Sequence, residues 1–248
     1  MSTAKAMKKI GLIGGLSYPS TITYYELVNR LGNRYLGAAC SPRIVMESLN
    51  FQTIADGLRI GDRRAVQEEL CTAASRLADA GAELIAMCCN TVHKFASEVE
   101  ASTEVPIVNI CRSTAGYASL AGFRHVGLMG SAYSMEESFY HGEFARHGIR
   151  ASIPSPAGRR FIQHAIETEL SVGRISDATR ERFLSIAEEL IEQGAQALVL
   201  ACTEIPLVLR PHDVDVPVID TVRVHVDSIL QAATETPFFT ETSCEPII

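Results

Sequence analysis

The sequence predicts an α/β protein that contains two similar units, each with a parallel sheet covered by helices on both faces. Three observations lead to this fold class: strand-like stretches alternate with segments of helical spacing, the strand-like stretches are apolar throughout, and several short motifs occur twice in the same order. Strands that are apolar on both sides are typical of parallel sheets. Alternation with helices is typical of the crossovers that join parallel strands.

The first half of the chain contains four predicted strands. Helical spacing predicts two helices between them, with Ser20 or Thr21 as the N-cap of the first and Gly81 just after the second. The predicted strands are Lys9–Ile13, Arg43–Leu49, Leu84–Cys88 and Val105–Ile110, and the predicted helices are Ser20–Leu31 and Arg63–Ala80.

Landmarks of the first half return in the second half. The three matching pairs are IGLIG (10–14) with VGLMG (126–130), GAELIAMCCNT (81–91) with GAQALVLACTE (194–204), and VPIVNI (105–110) with VPVIDT (216–221). We infer two α/β domains, residues 1–111 and 112–221. The segment 222–248 is expected to pack back on the first domain through a helix over Arg223–Ala233, and its end, Pro237–Ile248, is expected to be frayed or a contact arm.

Length and charge restrict the class of protein. A chain of 248 residues buries a sizeable core without disulfides. The formal charge of −7 argues against a general nucleic-acid binder. Because no long apolar run or signal peptide is recognisable, we predict a cytoplasmic protein that does not bind membranes. The seven cysteines include no C-x-x-C pair, which argues against a disulfide framework, a thioredoxin-type site or a zinc ribbon.

Two of the cysteines occupy matching positions. Cys89 and Cys202 each lie eight residues after the glycine that opens the repeated motif, whereas Cys88 aligns with Ala201 and is expected to serve packing. Ligands of parallel sheets bind beyond the carboxyl ends of the strands, where both cysteines are expected. Two thiols on opposite sides of a substrate suit inversion of a stereocentre, because one removes a proton while the other returns one to the opposite face. A lone cysteine there is more often structural, but two in register favour catalysis.

Polar neighbours of the cysteines are candidate substrate ligands. Asn90, Thr91 and Thr203 are suited to hold a carboxylate at the start of an expected helix, which also lowers the pKa of a thiol. Glu204 is expected to orient a neighbour or bind an ammonium group, although a carboxylate at a helix start is common.

Two other strand ends add candidates. The glycine turn after the first strand is expected to line the site through Gly15, Leu16 and Ser17. Asn50 follows the second strand, where it either faces the site or forms a turn.

Other sites were weighed against this interpretation. The turn lacks the G-x-G-x-x-G spacing of dinucleotide-binding proteins. Cys89 and His93 are one helical turn apart, but two local ligands are too few for structural zinc, so no metal is predicted. A two-lobed protein that binds a small ligand without catalysis stays open as an alternative.

Four motifs make the chain resemble the aspartate/glutamate racemase family, whose members racemise amino acids without a cofactor. They are GLIGGLSYPSTITYY (11–25), CNTVH (89–93), GLMGSAYSMEESFY (127–140) and ACTEIPLV (201–208), and the resemblance extends over nearly the whole chain. It implies two pseudo-symmetric Rossmann-like domains with the active site in the cleft between them. It also implies catalytic Cys89 and Cys202, no pyridoxal phosphate or metal, and a homodimer.

The resemblance is greatest to the aspartate racemase branch, which implies an acidic amino acid as the substrate. Leu16 stands where relatives commonly have methionine, and His164 stands where they often have lysine or glutamine. That second region contacts the side-chain carboxylate of the substrate in the family, so the resemblance makes His164 a substrate-binding candidate. We predict interconversion of L- and D-aspartate. The alternatives are a glutamate or broad-range racemase, a hydantoin racemase, or a maleate isomerase with a cysteine nucleophile.

Overall fold

The computed structural model describes residues 7–37 and 40–234, and the described chain divides into two units. Unit 1 contains the described residues up to Asn109 together with those from His225 onward, and unit 2 contains Ile110–Val224. The predicted arm at 237–248, and the part of segment 222–248 beyond Thr234, lie outside the described residues. Unit 1 therefore draws on two separate stretches of the sequence.

Unit 1 is built on a parallel sheet of four strands. The strands are β1 (Ile10–Gly14), β2 (Ile44–Ser48), β3 (Leu84–Met87) and β4 (Ile107–Val108). The helices are α1 (Tyr18–Leu36), α2 (Phe51–Ile60), α3 (Arg63–Asp79) and α4 (Ala96–Ala101), with a 3₁₀ helix at Thr91–Phe95. The strand order is β2-β1-β3-β4, and every pairing is parallel.

Unit 2 has a sheet of the same kind. Its strands are β5 (His125–Gly130), β6 (Arg150–Ser152), β7 (Ala197–Ala201) and β8 (Val218–Asp220). Its helices are α5 (Ile110–Leu120), α6 (Ala132–Glu136), α7 (Ser138–Arg146), α8 (Pro156–Thr168) and α9 (Asp177–Glu192), with 3₁₀ helices at Leu170–Val172, Ile205–Leu207 and Pro211–Asp213. The order β6-β5-β7-β8 is again parallel throughout. The last helix, α10 (Thr221–Thr234), begins in unit 2 and continues into unit 1.

The two sheets have equivalent strand orders, with β1 corresponding to β5 and β3 to β7. Both sheets bury the two faces of their central strands. In β7, Ala197, Val199 and Ala201 pack in one apolar cluster, while Leu198 and Leu200 pack in another. Because successive side chains of a strand point to opposite faces, the sheet is covered on both sides. The predicted fold class, two parallel sheets with flanking helices, is confirmed.

The structure corrects three local predictions. Helix α1 begins at Tyr18, with Ser17 rather than Ser20 or Thr21 at the N-cap position, because a proline is tolerated in a first helical turn. Helix α2 was not predicted, although Asn50 caps its start and Gly61 ends it in a left-handed conformation. The helices expected directly after Cys89 and Cys202 are short 3₁₀ segments, which give no long helix dipole at either thiol.

Candidate active site

Cys89 and Cys202 follow equivalent strands of the two sheets. Strand β3 ends at Met87, two residues before Cys89, and β7 ends at Ala201, immediately before Cys202. The pairing of Ile10 with Leu84 corresponds to that of Val126 with Ala197, so the two strand registers place the two cysteines at matching positions. Each cysteine therefore lies beyond the carboxyl end of a central strand, where parallel sheets bind ligands.

The glycines that open the two cysteine motifs have the same conformation. Gly81 has φ +80° and Gly194 has φ +94°, and each lies in the turn that leads from a long helix to the cysteine-bearing strand. Glycine adopts positive φ without the steric cost that a side chain adds. The sequence repeat therefore reflects a repeated backbone path, from the helix end to the thiol.

Cys88 and Cys89 have different environments despite being neighbours. The backbone N–H of Cys88 donates to the Ile13 carbonyl (2.9 Å), which continues the β1–β3 pairing by one residue. The Cys88 side chain is fully buried, and burial raises the pKa of its thiol well above the ordinary value. Cys89 is partly exposed. Of the two, only Cys89 has the access to solvent that an acid/base group needs.

The carbonyl of Cys89 is held by a histidine one turn later. The Nδ1 atom of His93 lies 2.8 Å from the Cys89 carbonyl oxygen, and the backbone N–H of His93 donates to the carbonyl of Asn90 (3.1 Å). Since a carbonyl oxygen accepts and does not donate, Nδ1 of His93 carries a proton. Asn90 is buried and Thr91 is partly buried in the same turn.

Cys202 lies beside a carboxylate. The Cys202 thiol donates to Oε2 of Glu204 over 3.0 Å, and the Thr203 hydroxyl donates to the same oxygen over 2.6 Å. All three side chains are partly buried. Of the two roles predicted for Glu204, this geometry is consistent with the first, orientation of a neighbour. The carboxylate is also placed to accept the thiol proton.

The turn after β1 uses its polar groups internally. The Gly15 N–H donates to the Thr21 hydroxyl (2.9 Å), which donates in turn to the Ser17 carbonyl (3.1 Å). A Cβ on Gly15 would lie 2.1 Å from the carbonyl oxygen of Leu49, so this position requires glycine for packing. Leu16 is buried in the apolar core. Neither the Gly15 N–H nor the Leu16 side chain is presented for substrate, so the prediction that they bind it finds no support here.

Ser17 differs from its neighbours. Among residues 7–37 and 40–234 it is the non-glycine residue with a positive φ, +116°, and it is partly exposed at the carboxyl end of β1. Such a conformation costs about 1–3 kcal/mol and persists when the surrounding structure enforces it. Strained residues of this kind cluster at functional sites, which supports Ser17 as a substrate ligand.

Asn50 and His164, both candidate substrate ligands from the sequence, make local hydrogen bonds at their own helices. Asn50 is exposed, and its side-chain oxygen accepts from the Gln52 N–H (3.1 Å), which makes it the N-cap of α2. His164 is exposed on α8, and its carbonyl accepts from the Thr168 hydroxyl. Its neighbour Gln163 extends instead to the N–H of Ala132, next to the end of β5 (2.8 Å). Gln163 was not among the site residues predicted from the sequence.

A second feature missed by the sequence analysis lies behind the Cys89 turn. His225 of α10 accepts the Tyr24 hydroxyl at Nδ1 (2.7 Å), and its Nε2 lies 2.8 Å from the Val108 carbonyl. The His225 ring packs edge-on against the His93 ring, with centroids 5.4 Å apart. Burial, with a smaller contribution from nearby His93, lowers the pKa of His225 to about 3. No local pattern indicates this set, since Tyr24 and His225 are 201 positions apart.

Within the described ranges 7–37 and 40–234, no group of three or more His, Cys, Asp or Glu side chains is arranged to hold a metal ion. None of the described helices is long and apolar enough to cross a membrane.

Comparison with known proteins decides the family. The model of the Asp/Glu/hydantoin racemase family matches residues 13–229. The chain belongs to this family. It is therefore an isomerase of the racemase class that acts on a small-molecule substrate, and the resemblance drawn from the four sequence motifs is confirmed.

Solved structures of family members have the same fold. A protein of Yersinia pestis, provisionally assigned as an Asp/Glu racemase, has a TM-score of 0.87 and 36% identity over 91% of this chain and 99% of its own. An aspartate racemase homologue from Pyrococcus horikoshii has a TM-score of 0.81 and 29% identity over 92% of this chain and 100% of its own. The broad specificity amino-acid racemase RacX of Bacillus subtilis is 22% identical over 86% of this chain and 92% of its own.

Proposed function

We propose that this chain is a cofactor-independent racemase that interconverts L- and D-aspartate, with Cys89 and Cys202 as its two acid/base groups. The observation that carries the proposal is the equivalence of the two cysteines. Each is partly exposed beyond the carboxyl end of a central strand, at matching positions in two sheets of equivalent strand order. The choice of aspartate is supported by similarity to the aspartate racemase homologue of Pyrococcus horikoshii.

The proposed reaction needs one base and one acid at each turnover. A thiolate removes the proton from Cα and becomes a thiol, and the electron pair stays on the substrate as a planar carbanion. The second thiol then gives its proton to the opposite face of that carbanion and becomes a thiolate. The reverse reaction exchanges the two roles, so no net proton is consumed.

The two cysteine turns supply different partners for this chemistry. When Cys202 starts as the base, Glu204 accepts its thiol proton, because Oε2 of Glu204 is already the acceptor for that thiol. The Thr203 hydroxyl holds the same oxygen in place. On the substrate side, we propose four polar residues as the carboxylate ligands. Asn90, Thr91 and Thr203 follow the two cysteines directly in the chain, and Ser17 is the strained residue beyond the carboxyl end of β1.

Proton NMR of each aspartate enantiomer in D₂O, with purified protein and no added cofactor, tests the proposal. Loss of the Cα proton signal together with appearance of the other enantiomer is the expected result. No exchange from either enantiomer would exclude aspartate. Glutamate, hydantoins and maleate would then be tested, together with a broader amino-acid panel, which the similarity to the Bacillus subtilis broad specificity racemase justifies.

Single substitutions test the mechanism separately from the substrate. Cys89→Ser and Cys202→Ser should each abolish racemisation, while exchange of the Cα proton without inversion persists for one enantiomer. Cys40→Ser is the matched control, since Cys40 is exposed and outside both turns, and it should retain full activity. Full racemisation by either of the first two variants would refute the two-thiol mechanism.

Glu204→Gln tests the proton acceptor of Cys202. Glutamine keeps the shape of the side chain but does not take a proton, so racemisation should fall by about 100-fold, a typical loss for one acid/base group. The largest fall is expected for exchange of the Cα proton of the enantiomer that Cys202 deprotonates. Activity within about twofold of wild type would remove Glu204 from the mechanism.

The same proposal includes the assembly and location of the enzyme. We propose a cytoplasmic homodimer, and helix α1 offers a surface for the dimer contact. Tyr18, Ile22 and Tyr25 are large, exposed and spaced by four and three residues, so they share one face of the helix. Sedimentation of the wild type and of a Tyr25→Lys variant tests this contact, and an unchanged mass would exclude this face.

A further inference from the structure

The turn that carries Cys89 is held by a short series of buried rings. His93 donates from Nδ1 to the Cys89 carbonyl, and the His93 ring rests edge-on against His225 at an interplanar angle of 78°. His225 is in turn packed edge-on against Tyr24, with ring centroids 5.6 Å apart. Tyr24 and His225 are fully buried and His93 is almost so.

The orientation of His225 is determined by both of its nitrogens. Nε2 faces the Val108 carbonyl, which only accepts, so Nε2 carries the proton. Nδ1 of the neutral ring is then an acceptor, and the Tyr24 hydroxyl donates to it. Rotation of the ring would break the hydrogen bonds to Tyr24 and to the Val108 carbonyl, and a buried polar group that loses its partner is costly.

The fixed His225 ring limits the His93 ring that packs against it. A His93 ring that is held in place keeps its Nδ1 proton directed at the Cys89 carbonyl. The corresponding turn of unit 2 is different, because there the residue two positions after Cys202 is Glu204, which bonds to the thiol itself. A side chain therefore bonds to the backbone carbonyl of Cys89, whereas a side chain bonds to the thiol of Cys202.

We propose that Tyr24, His225 and His93 are positioning residues that fix the backbone of the Cys89 turn and thereby the direction of the Cys89 thiol. The proposal rests on the proposed function for its catalytic consequence. Its structural content, a turn held in one geometry by three buried rings, holds whatever the substrate is. A displacement of about 1 Å in a reacting group costs on the order of 100-fold in rate, so such a device matters for proton transfer.

The first test measures the accessibility of the thiols without any substrate. Wild type and variants are treated with iodoacetamide, and mass spectrometry follows alkylation of Cys89 and of Cys202 separately. Loss of the positioning contacts should loosen the Cys89 turn, so His93→Leu and Tyr24→Phe should raise the alkylation rate of Cys89 by about tenfold while that of Cys202 is unchanged. His93→Asn, whose amide supplies a donor close to the place of Nδ1, should give a smaller increase.

Tyr140→Phe is the matched control for loss of a buried hydroxyl. Tyr140 is a fully buried tyrosine of unit 2 whose hydroxyl bonds to Thr221 and Thr114. The Tyr140→Phe substitution should lower the melting temperature about as much as Tyr24→Phe does. It should leave the ratio of alkylation at Cys89 to alkylation at Cys202 unchanged. Circular dichroism confirms that each variant is folded before alkylation.

The second test uses the racemase assay on the same variants. His93→Leu should lower kcat by about tenfold or more with KM within about twofold, because thiol direction affects proton transfer more than binding. If aspartate is not a substrate, the alkylation ratio alone still decides the proposal. An unchanged ratio in both His93→Leu and Tyr24→Phe, with the proteins folded, would overturn it.

Discussion

A buried neutral histidine makes the stability of unit 1 depend on pH, and His225 is the group responsible. Its pKa is about 3 in the folded protein, against an ordinary value of 6.5, chiefly because burial disfavours the charged ring. The groups that face it are His93, whose charge would oppose protonation, and the Tyr24 hydroxyl, which donates to Nδ1. The perturbation we choose is His225→Gln, an uncharged side chain whose amide nitrogen can still donate towards the Val108 carbonyl.

The sign and size of the effect follow from proton binding. Below pH 6.5 the unfolded chain binds a proton at this residue and the folded chain does not, so stability is lost as the pH falls from 6.5 towards 3. Between pH 6.5 and pH 5.0 the loss is about 1.4 kcal/mol per unit, or about 2 kcal/mol in all. Above pH 6.5 the contribution is complete.

Urea unfolding at pH 7.5 and pH 5.0 measures this difference. Circular dichroism is the signal of choice, because the sequence has no tryptophan and seven tyrosines. From pH 7.5 to pH 5.0, the wild type should lose about 2 kcal/mol more of its unfolding free energy than His225→Gln does. Other titrating groups are common to both proteins and cancel in the comparison. Equal losses, within about 0.5 kcal/mol, would refute the assignment of His225 as a buried neutral group.

Four further predictions concern single positions. Gly15→Ala should lower the unfolding free energy by about 3 kcal/mol or more, because φ is +74° and the new Cβ would clash with the Leu49 backbone. Gly61→Ala, at φ +76° in open space, should lower it by only about 1 kcal/mol. Equal losses in urea unfolding would contradict the steric argument. Gly116→Ala, in open space within α5, should raise the unfolding free energy by about 0.5–1 kcal/mol, and a loss would show an unrecognised constraint. Ser17→Gly should raise it by about 1 kcal/mol while racemase activity falls, since strain is relieved and a substrate ligand is lost; full activity would remove Ser17 from the site. Cys88 should resist iodoacetamide in the native protein and react after unfolding in urea, and rapid native alkylation would contradict its burial.

The two-unit architecture was predictable because its physical causes are local in sequence. Strands buried on both faces must be apolar throughout, so β1, β3, β5 and β7 stand out as continuous runs. The left-handed glycines Gly81 and Gly194 marked the same turn twice. Aligning the repeats on those two glycines matches Cys89 with Cys202, and the strand registers of the two sheets match the same two residues.

Other features of the molecule could not be predicted, because they depend on contacts between residues far apart in sequence or on local preferences that suit more than one structure. Helix α2 was missed although its capping residues, Asn50 and Gly61, were visible in the sequence. The short 3₁₀ segments after the cysteines were expected to be longer helices, because their first residues suit either form. The contact between Tyr24 and His225 joins residues 201 positions apart, and no periodic pattern encodes such a pair.

The discontinuous make-up of unit 1 has a consequence for its biosynthesis. Its N-terminal part is translated first, but the unit also includes α10, where the Lys8 N–H donates to the Ala233 carbonyl and Gly32 packs near Leu230. The described part of unit 2, Ile110–Val224, is one continuous stretch that is synthesised before His225. At about 5–20 residues per second, the ribosome takes roughly 6–25 s to go from the end of the first stretch to the end of α10. The Cys89 turn is thus synthesised early but lacks His225 for most of that interval.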